Sequence, residues 1–211
     1  MRVAALHDVH GNLPALEAVL AEVTALEVDR IVCGGDVVAG PFEQECLDAL
    51  WARDAVFVRG NAERRAVEPS WLPELPHSVA VDGVLYCHGS PRRDDEILTR
   101  VSPDDRFRAA LAGVEERVVV GGHTHVQFER VVDGILWANA GSVGRPYEGR
   151  QGAFWALVEH GDVQLRRTPY AIEAAVAAIR ASGYPDADDL CSTLLAPEDP
   201  DEVSAYFESL A

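Results

Sequence analysis

Asp8, His10, Asp36, Asn61, His88, His123 and His125 are the residues of this 211-residue chain whose types combine into a recognisable chemistry. Two aspartates, four histidines and one amide oxygen make a mixed oxygen and nitrogen donor set with no thiolate. Such a set suits borderline divalent ions such as Mn²⁺, Fe²⁺ or Zn²⁺. It suits Ca²⁺ poorly, because Ca²⁺ is held by oxygen alone. Seven donors are too many for one tetrahedral ion and match two ions that share a carboxylate. Two such ions would stand ~3.5–4 Å apart with a hydroxide between them, a nucleophile available at neutral pH.

The seven are far apart in sequence, so the fold has to gather them. Each follows a short apolar run. Arg2–Leu6 precedes Asp8 and His10, Arg30–Cys33 precedes Asp36, and Ala55–Val58 precedes Asn61. Val84–Cys87 runs directly into His88, and Arg117–Val120 precedes His123 and His125. Successive gaps of 28, 25, 27 and 35 residues are close to one strand–helix unit of ~30 residues each. Ligand sites in open α/β sheets lie outside the carboxyl ends of the strands, so this spacing predicts one common edge. The stretch Ile31–Pro41 shows the device most clearly. An apolar run ends in Gly34-Gly35, presents one carboxylate at Asp36, and is stopped by Gly40-Pro41.

The remaining elements follow from periodicity. Leu13, Leu16, Val19, Leu20, Val23 and Leu26 fall on one helical face. Asn12 is placed to cap that helix, with Pro14 in its first turn. A second helix is predicted over Glu43–Trp51, and the strand–helix–strand rhythm predicts a parallel sheet with right-handed crossovers. Asp82-Gly83 and Asp133-Gly134 are hairpin turns. The first joins Ser78–Val81 to Val84–Cys87, the second Gln127–Val132 to Ile135–Asn139. A helix is expected around Asp104–Ala112, and strands Ala153–Glu159 and Val163–Thr168 flank His160-Gly161-Asp162. The chain closes with a helix near Ile172–Ala181 and an acidic, proline-containing tail whose last helix is Glu202–Leu210. No linker or repeat divides it, so residues 1–211 read as a single domain with mixed sheets inside and helices outside.

Composition narrows the function. All 18 basic residues are arginines, against 35 aspartates and glutamates, for a net charge of −17. The absence of lysine excludes a lysine nucleophile or Schiff base. The acidic balance argues against non-specific binding to nucleic acid, and leaves bound metal as the obvious positive centre for a phosphate substrate. The four cysteines, Cys33, Cys46, Cys87 and Cys191, form no CxxC pair and read as reduced core residues. No apolar run reaches membrane-span length. The N-terminal run is too short for a signal peptide, so a cytoplasmic location is expected. No GxxxxGK[ST] loop is present, and Gly141-Ser142-Val143-Gly144 is not a GxSxG elbow.

Taken together, Asp8-x-His10-Gly11, Gly35-Asp36-x-Val38, Gly60-Asn61, His88-Gly89 and Gly122-His123-x-His125 resemble the calcineurin-like metallophosphoesterases. Asn139-Ala140-Gly141-Ser142-Val143-Gly144 and Arg145-Pro146 look like a loop of the small bacterial phosphodiesterase branch. The motifs fall within residues 2–172; 173–211 form a helical, acidic extension without them. The resemblance implies a four-layer αββα sandwich of two mixed sheets flanked by helices. It implies that Asp8, His10 and His125 hold one metal, that Asn61, His88 and His123 hold the other, and that Asp36 bridges. Mn²⁺ is the first choice of ion, with Fe²⁺, Zn²⁺ or Ni²⁺ as others, and the bridging hydroxide would be the nucleophile. A small-molecule phosphodiester is the first substrate class. A phosphomonoester, including a phosphoprotein or dinucleoside polyphosphate, comes second, and a non-catalytic scaffold third. A homo-oligomer is compatible with all three.

One departure stands out. The wider family usually places a histidine after Gly-Asn as acid for the leaving group, whereas here the residue is Ala62. Proton delivery would then fall to water or another group, and poor leaving groups would react slowly. Outside the motifs, Asn12 could cap its helix or touch substrate. Arg145 could clamp a phosphate through its planar fork or pair with a surface carboxylate. Arg59 and Arg92 are weaker candidates. His7 should point away from its neighbour Asp8 into packing, and His77 and His160 read as loop residues.

Overall fold

The computed structural model describes residues 1–66 and 69–211. In chain order the elements are β1 (Arg2–Leu6), α1 (Leu13–Ala25), β2 (Arg30–Cys33), α2 (Glu43–Trp51), β3 (Val56–Phe57), β4 (Ser78–Val81) and β5 (Val84–Cys87). Then come α3 (Asp104–Ala110), β6 (Val118–Gly121), β7 (Phe128–Val132), β8 (Ile135–Asn139), β9 (Ala153–Glu159) and β10 (Asp162–Thr168). The chain ends in α4 (Ile172–Ala181), α5 (Ala187–Leu195) and α6 (Pro200–Leu210).

The strands form two mixed five-stranded sheets, in the orders β10-β9-β1-β2-β3 and β4-β5-β6-β8-β7. Alternation along each strand explains the four layers. Ala4 and Leu6 of β1, Ile31 and Cys33 of β2, and Trp155 and Leu157 of β9 pack under Leu16, Val19 and Leu20 of α1. The intervening residues Val3, Ala5, Val32, Ala156 and Val158 face the second sheet, meeting Val84, Tyr86 and Val120. On that sheet Cys87, Val119 and Trp137 point outward and are covered by Phe107 and Ala110 of α3. The inner strands β1, β2, β9, β5, β6 and β8 are thus covered on both faces, which is why most of them read as apolar runs, while the edge strands β4, β7 and β10 stay partly exposed. The four cysteines are buried and free. Among the described residues, no helix is long and apolar enough to cross a membrane.

Three differences from the sequence reading bear on the site. The strand expected over Ala55–Val58 keeps only Val56–Phe57 in the ladder. The 27-residue gap between Asn61 and His88 is not a strand–helix unit. Its described residues include two single 3₁₀ turns, Glu63–Arg65 and Leu72–Glu74, and the antiparallel hairpin β4–β5, and the chain crosses there from one sheet to the other. The acidic tail contains an unforeseen helix, α5, whose Leu190, Cys191 and Leu194 pack on Val176 and Ile179 of α4. Its only helical signal is these apolar positions within nine residues that include two aspartates, a serine and a threonine.

Candidate metal centre

The carboxyl ends of β1, β2 and β3 from one sheet meet those of β5 and β6 from the other, and all seven predicted donors lie at that junction. Their loops are strained. Asp8, His10, Asp36, His123 and His125 have φ of 54°, 46°, 52°, 69° and 58°. The left-handed region costs a residue with a Cβ ~1–3 kcal/mol, and it persists only where surrounding structure enforces it. Here the enforcing structure is a backbone ladder that carries the β1–β2 pairing past the strand ends. Asp8 N–H donates to Gly35 O at 3.0 Å, His10 N–H to Asp36 O at 2.9 Å, and Gly11 N–H to Val37 O at 2.9 Å. The loops touch so closely that a Cβ on Gly40 would stand 1.8 Å from His10 O.

The centre is a cluster of acceptors aimed at one another. His125 Nε2 lies 3.0 Å from Asp8 Oδ1 and 3.2 Å from His10 Nε2. Asp36 spans the cluster: Oδ2 is 4.0 Å from His10 Nε2, and Oδ1 is 3.6 Å from His88 Nε2. The distal ring nitrogens fix the tautomers. His125 Nδ1 donates to Arg145 O at 2.6 Å and His88 Nδ1 to Gly34 O at 2.9 Å. A carbonyl can only accept, so Nδ1 of each ring carries its hydrogen, and in the neutral ring Nε2 faces the centre with a lone pair. Among the described residues, neither His88 Nε2 nor Asn61 Oδ1 has a hydrogen-bond partner, although both are buried.

Electrostatics reinforce the pattern. Burial, helped by the neighbouring histidines, pushes His10 and His123 down to about 3, so both rings are neutral lone-pair donors at neutral pH. Burial raises the Asp36 carboxyl to about 7, with the Glu63 and Asp8 carboxylates adding to the push against His88. Burial would raise Asp8 as well, but His125 and His88 outweigh it and hold that carboxyl well below its usual range. Divalent cations fit this set. Two donors ~2.1 Å from one ion at a right angle stand ~3 Å apart, close to the spacing of His10, His125 and Asp8. Asp8, His10 and His125 could hold one ion. His88, Asn61 and His123 surround the other side of Asp36, with the His88 and His123 ring centroids 5.1 Å apart.

The sequence reading assigned no supporting role to several residues that brace the centre. The buried Glu63 carboxylate accepts the N–H groups of Asp36 and Val37 at 2.8 Å and of Gly60 at 2.7 Å. It holds the Asp36 loop and does not enter the cleft; its place three residues after Gly60 was the available signal. Ser142 Oγ donates to Asp8 O at 2.7 Å, and Asn139 Nδ2 to Gly122 O at 2.7 Å, so the Asn139–Arg145 loop braces the Asp8 and His123 loops. Tyr147 stacks on His125, with centroids 5.1 Å apart and rings inclined by 14°.

Of the two predicted substrate contacts, Asn12 has its amide engaged within the fold. Its Oδ1 caps α1 at Ala15 N, its Nδ2 donates to Gly144 O at 2.8 Å, and it is fully buried. Arg145 is at the rim and pairs with Asp189 of α5. Arg59 is held by Asp94 and Pro73 O, and Arg92 by Glu96 and Ala109 O, so neither faces the centre. His7 is fully buried against Gly34 and Gly122, and a ring nitrogen lies within 4.8 Å of an Asp8 carboxylate oxygen and a His88 nitrogen, so it does not turn away from Asp8 as expected. His77 contacts Arg59, and His160 is a turn residue with φ of 52°.

Two cavities open from the centre and share His10 and Ala39. The larger, ≈ 440 Å³, runs past Asp36, Asn61 and His123 to Ala62, Arg64, Arg65 and Asp95. The smaller, ≈ 70 Å³, runs to Arg145, Tyr184, Asp186, Asp189 and Leu190.

Known proteins resemble this chain in sequence and fold. Over 87% of its length the chain is 24% identical to the uncharacterized protein MJ0912 of Methanocaldococcus jannaschii, of which the alignment covers 94%. A metallophosphoesterase from Sphaerobacter thermophilus superposes with a TM-score of 0.80 at 27% identity, over 93% of this chain and all of that one. YfcE, a phosphoesterase from E. coli, shares the fold with a TM-score of 0.55 at 23% identity, over 79% of this chain and 93% of its own. Residues 1–162 match the profile of the calcineurin-like phosphoesterase superfamily domain, and the chain belongs to that family of metal-dependent phosphoesterases.

Proposed function

We propose that this protein hydrolyses small-molecule phosphodiesters at a centre of two divalent ions. Asp8, His10 and His125 hold one ion, Asn61, His88 and His123 hold the other, and Asp36 is shared. The observation that carries this reading is Asp36 itself. Its two carboxylate oxygens face His10 on one side and His88 on the other, between an acceptor cluster and two buried atoms without partners. When bound, the ions supply Lewis-acid activation of water and neutralise charge on the phosphoryl oxygens.

The chain's own residues do the rest. The lone pairs of His88 and His125 are aimed by the carbonyls of Gly34 and Arg145. Asp36 is held in its strained conformation by Glu63, so the donors need no rearrangement to receive the ions. Ala62 contributes no proton to the leaving group. Arg145 stands at the His10 side of the centre, where its charge toward a phosphoryl oxygen is shared with Asp189.

Mn²⁺ is the first ion to test. Purified protein should hydrolyse bis(p-nitrophenyl) phosphate on addition of Mn²⁺, and Asp36→Asn should lose bound metal and turnover together. Full activity of Asp36→Asn would refute the shared-ligand role. No turnover with Mn²⁺, Fe²⁺, Zn²⁺ or Ni²⁺, together with no bound metal, would refute the enzymatic reading.

A further inference from the structure

The two cavities that meet at the centre differ in the balance of their charged side chains. The larger brings two arginines, Arg64 and Arg65, against two carboxylates, Asp36 and Asp95. The smaller brings one arginine, Arg145, against Asp186 and Asp189. Arg145 is also engaged: its guanidinium pairs with the Asp189 carboxylate. Its main-chain carbonyl meanwhile receives His125 Nδ1, so the backbone at Arg145 is fixed to the centre while its side-chain charge is answered from α5. Asp189 lies beyond residue 162, outside the matched family profile, on a helix anchored to the body through α4 and Phe42.

We infer that Asp189 is a specificity-determining residue: by neutralising Arg145 beside the centre, it makes the site select singly charged phosphodiesters over doubly charged phosphomonoesters. The inference rests on the phosphoesterase reading and deepens it. A free Arg145 would offer a planar two-pronged donor to the extra oxygen charge of a monoester. Paired with Asp189 and flanked by Asp186, it offers less net positive charge to that second anionic oxygen. A diester carries an esterified oxygen there and needs no second cation. The ≈ 70 Å³ of the cavity, walled by Tyr184 and Leu190, has room for a compact uncharged substituent. Specificity of this kind comes from an element that disfavours the wrong ligand as much as from one that favours the right one.

The test compares wild type, Asp189→Asn and Asp189→Glu in the full-length Mn²⁺-loaded protein. Three quantities are read: kcat/KM for bis(p-nitrophenyl) phosphate, kcat/KM for p-nitrophenyl phosphate, and the dissociation constant of inorganic phosphate by calorimetry. Asp189→Asn should move the monoester-to-diester ratio toward the monoester by on the order of tenfold, and should tighten phosphate binding similarly. Asp189→Glu, which keeps the charge, should restore the wild-type ratio. A ratio and a phosphate affinity unchanged in Asp189→Asn would overturn the inference, as would an identical shift in Asp189→Glu, which would mark a packing effect. Failure of wild type to hydrolyse either ester would instead be failure of the phosphoesterase reading.

Discussion

The Glu63 carboxylate stands behind Asp36, accepting its backbone N–H through Oε2 at 2.8 Å and that of the next residue, Val37, through Oε1 at 2.8 Å. The same Oε2 receives Gly60 N–H at 2.7 Å. One buried side chain therefore ties the β2 and β3 loops together and gives Asp36 its orientation. Replacing Glu63 with alanine removes the acceptor of four buried backbone donors, those of Asp36, Val37, Val38 and Gly60, each worth ~1–3 kcal/mol. Glu63→Ala should lose on the order of 3–5 kcal/mol of stability in metal-free urea unfolding. Glu63→Gln keeps the shape but loses the charge, and should fold with weakened Mn²⁺ affinity by calorimetry. Wild-type stability in Glu63→Ala would show that the loop is held by something else.

Leaving-group chemistry gives a second prediction. Among the described residues lining the larger cavity, the titratable groups that are not proposed ligands are Arg64, Arg65 and Asp95. Burial would raise Asp95, but hydrogen bonds from Arg64 and Arg93, each 3.0 Å long, outweigh it and keep the carboxyl below its usual range. It is therefore ionised and not a proton donor at neutral pH. With Ala62 unable to donate, rates across a series of aryl and alkyl phosphodiesters should fall steeply as the leaving group becomes more basic. Equal rates for aryl and alkyl members, with chemistry limiting, would mean that a proton donor exists.

Stability against pH follows from the buried histidines of the metal-free protein. Burial pushes His7 down to about 4, and His10 and His123 to about 3, from 6.5 in the unfolded chain. Each contributes stability that is present above 6.5 and is lost as pH falls toward the folded value. Asp36 acts in the opposite sense. Raised by burial to about 7 from 3.8, it contributes stability below 3.8 that is lost as pH rises through 7. Between about pH 4 and 6.5 the three histidines outnumber it, and unfolding takes up about two protons net. The urea midpoint of the metal-free protein should therefore drop between pH 6.5 and 5. A flat or rising midpoint over that interval would contradict the buried neutral histidines.

The regular spacing of the seven donors was legible in the sequence, but its cause was only partly so. Asp8 to Asp36 is a strand–helix unit, because α1 carries the chain back to a parallel neighbour. Asn61 to His88 has a similar length through a different path that includes a hairpin and changes sheet. Spacing alone cannot separate these two, since both consume ~30 residues. The choice left open at Asn12 was between two uses of one amide. Gly144 O, 132 residues away, settles its Nδ2, and no local pattern could announce that partner.

The sequence by itself determined the donor chemistry, the strand ends that carry it, and the apolar runs of the inner strands around which two sheets pack. These are local properties, set by residue type and by periodicities of two and 3.6. Only the tertiary structure decided which partners surround those donors. It brought Glu63 behind Asp36 and Arg145 O against His125. It also set Asp189 against Arg145 from a helix too polar and too short to declare itself. Each of these contacts joins segments distant in sequence, or turns a side chain in a direction that strand ends leave unspecified. Their geometry comes from sheets packing together and from loops forced into left-handed conformations between them.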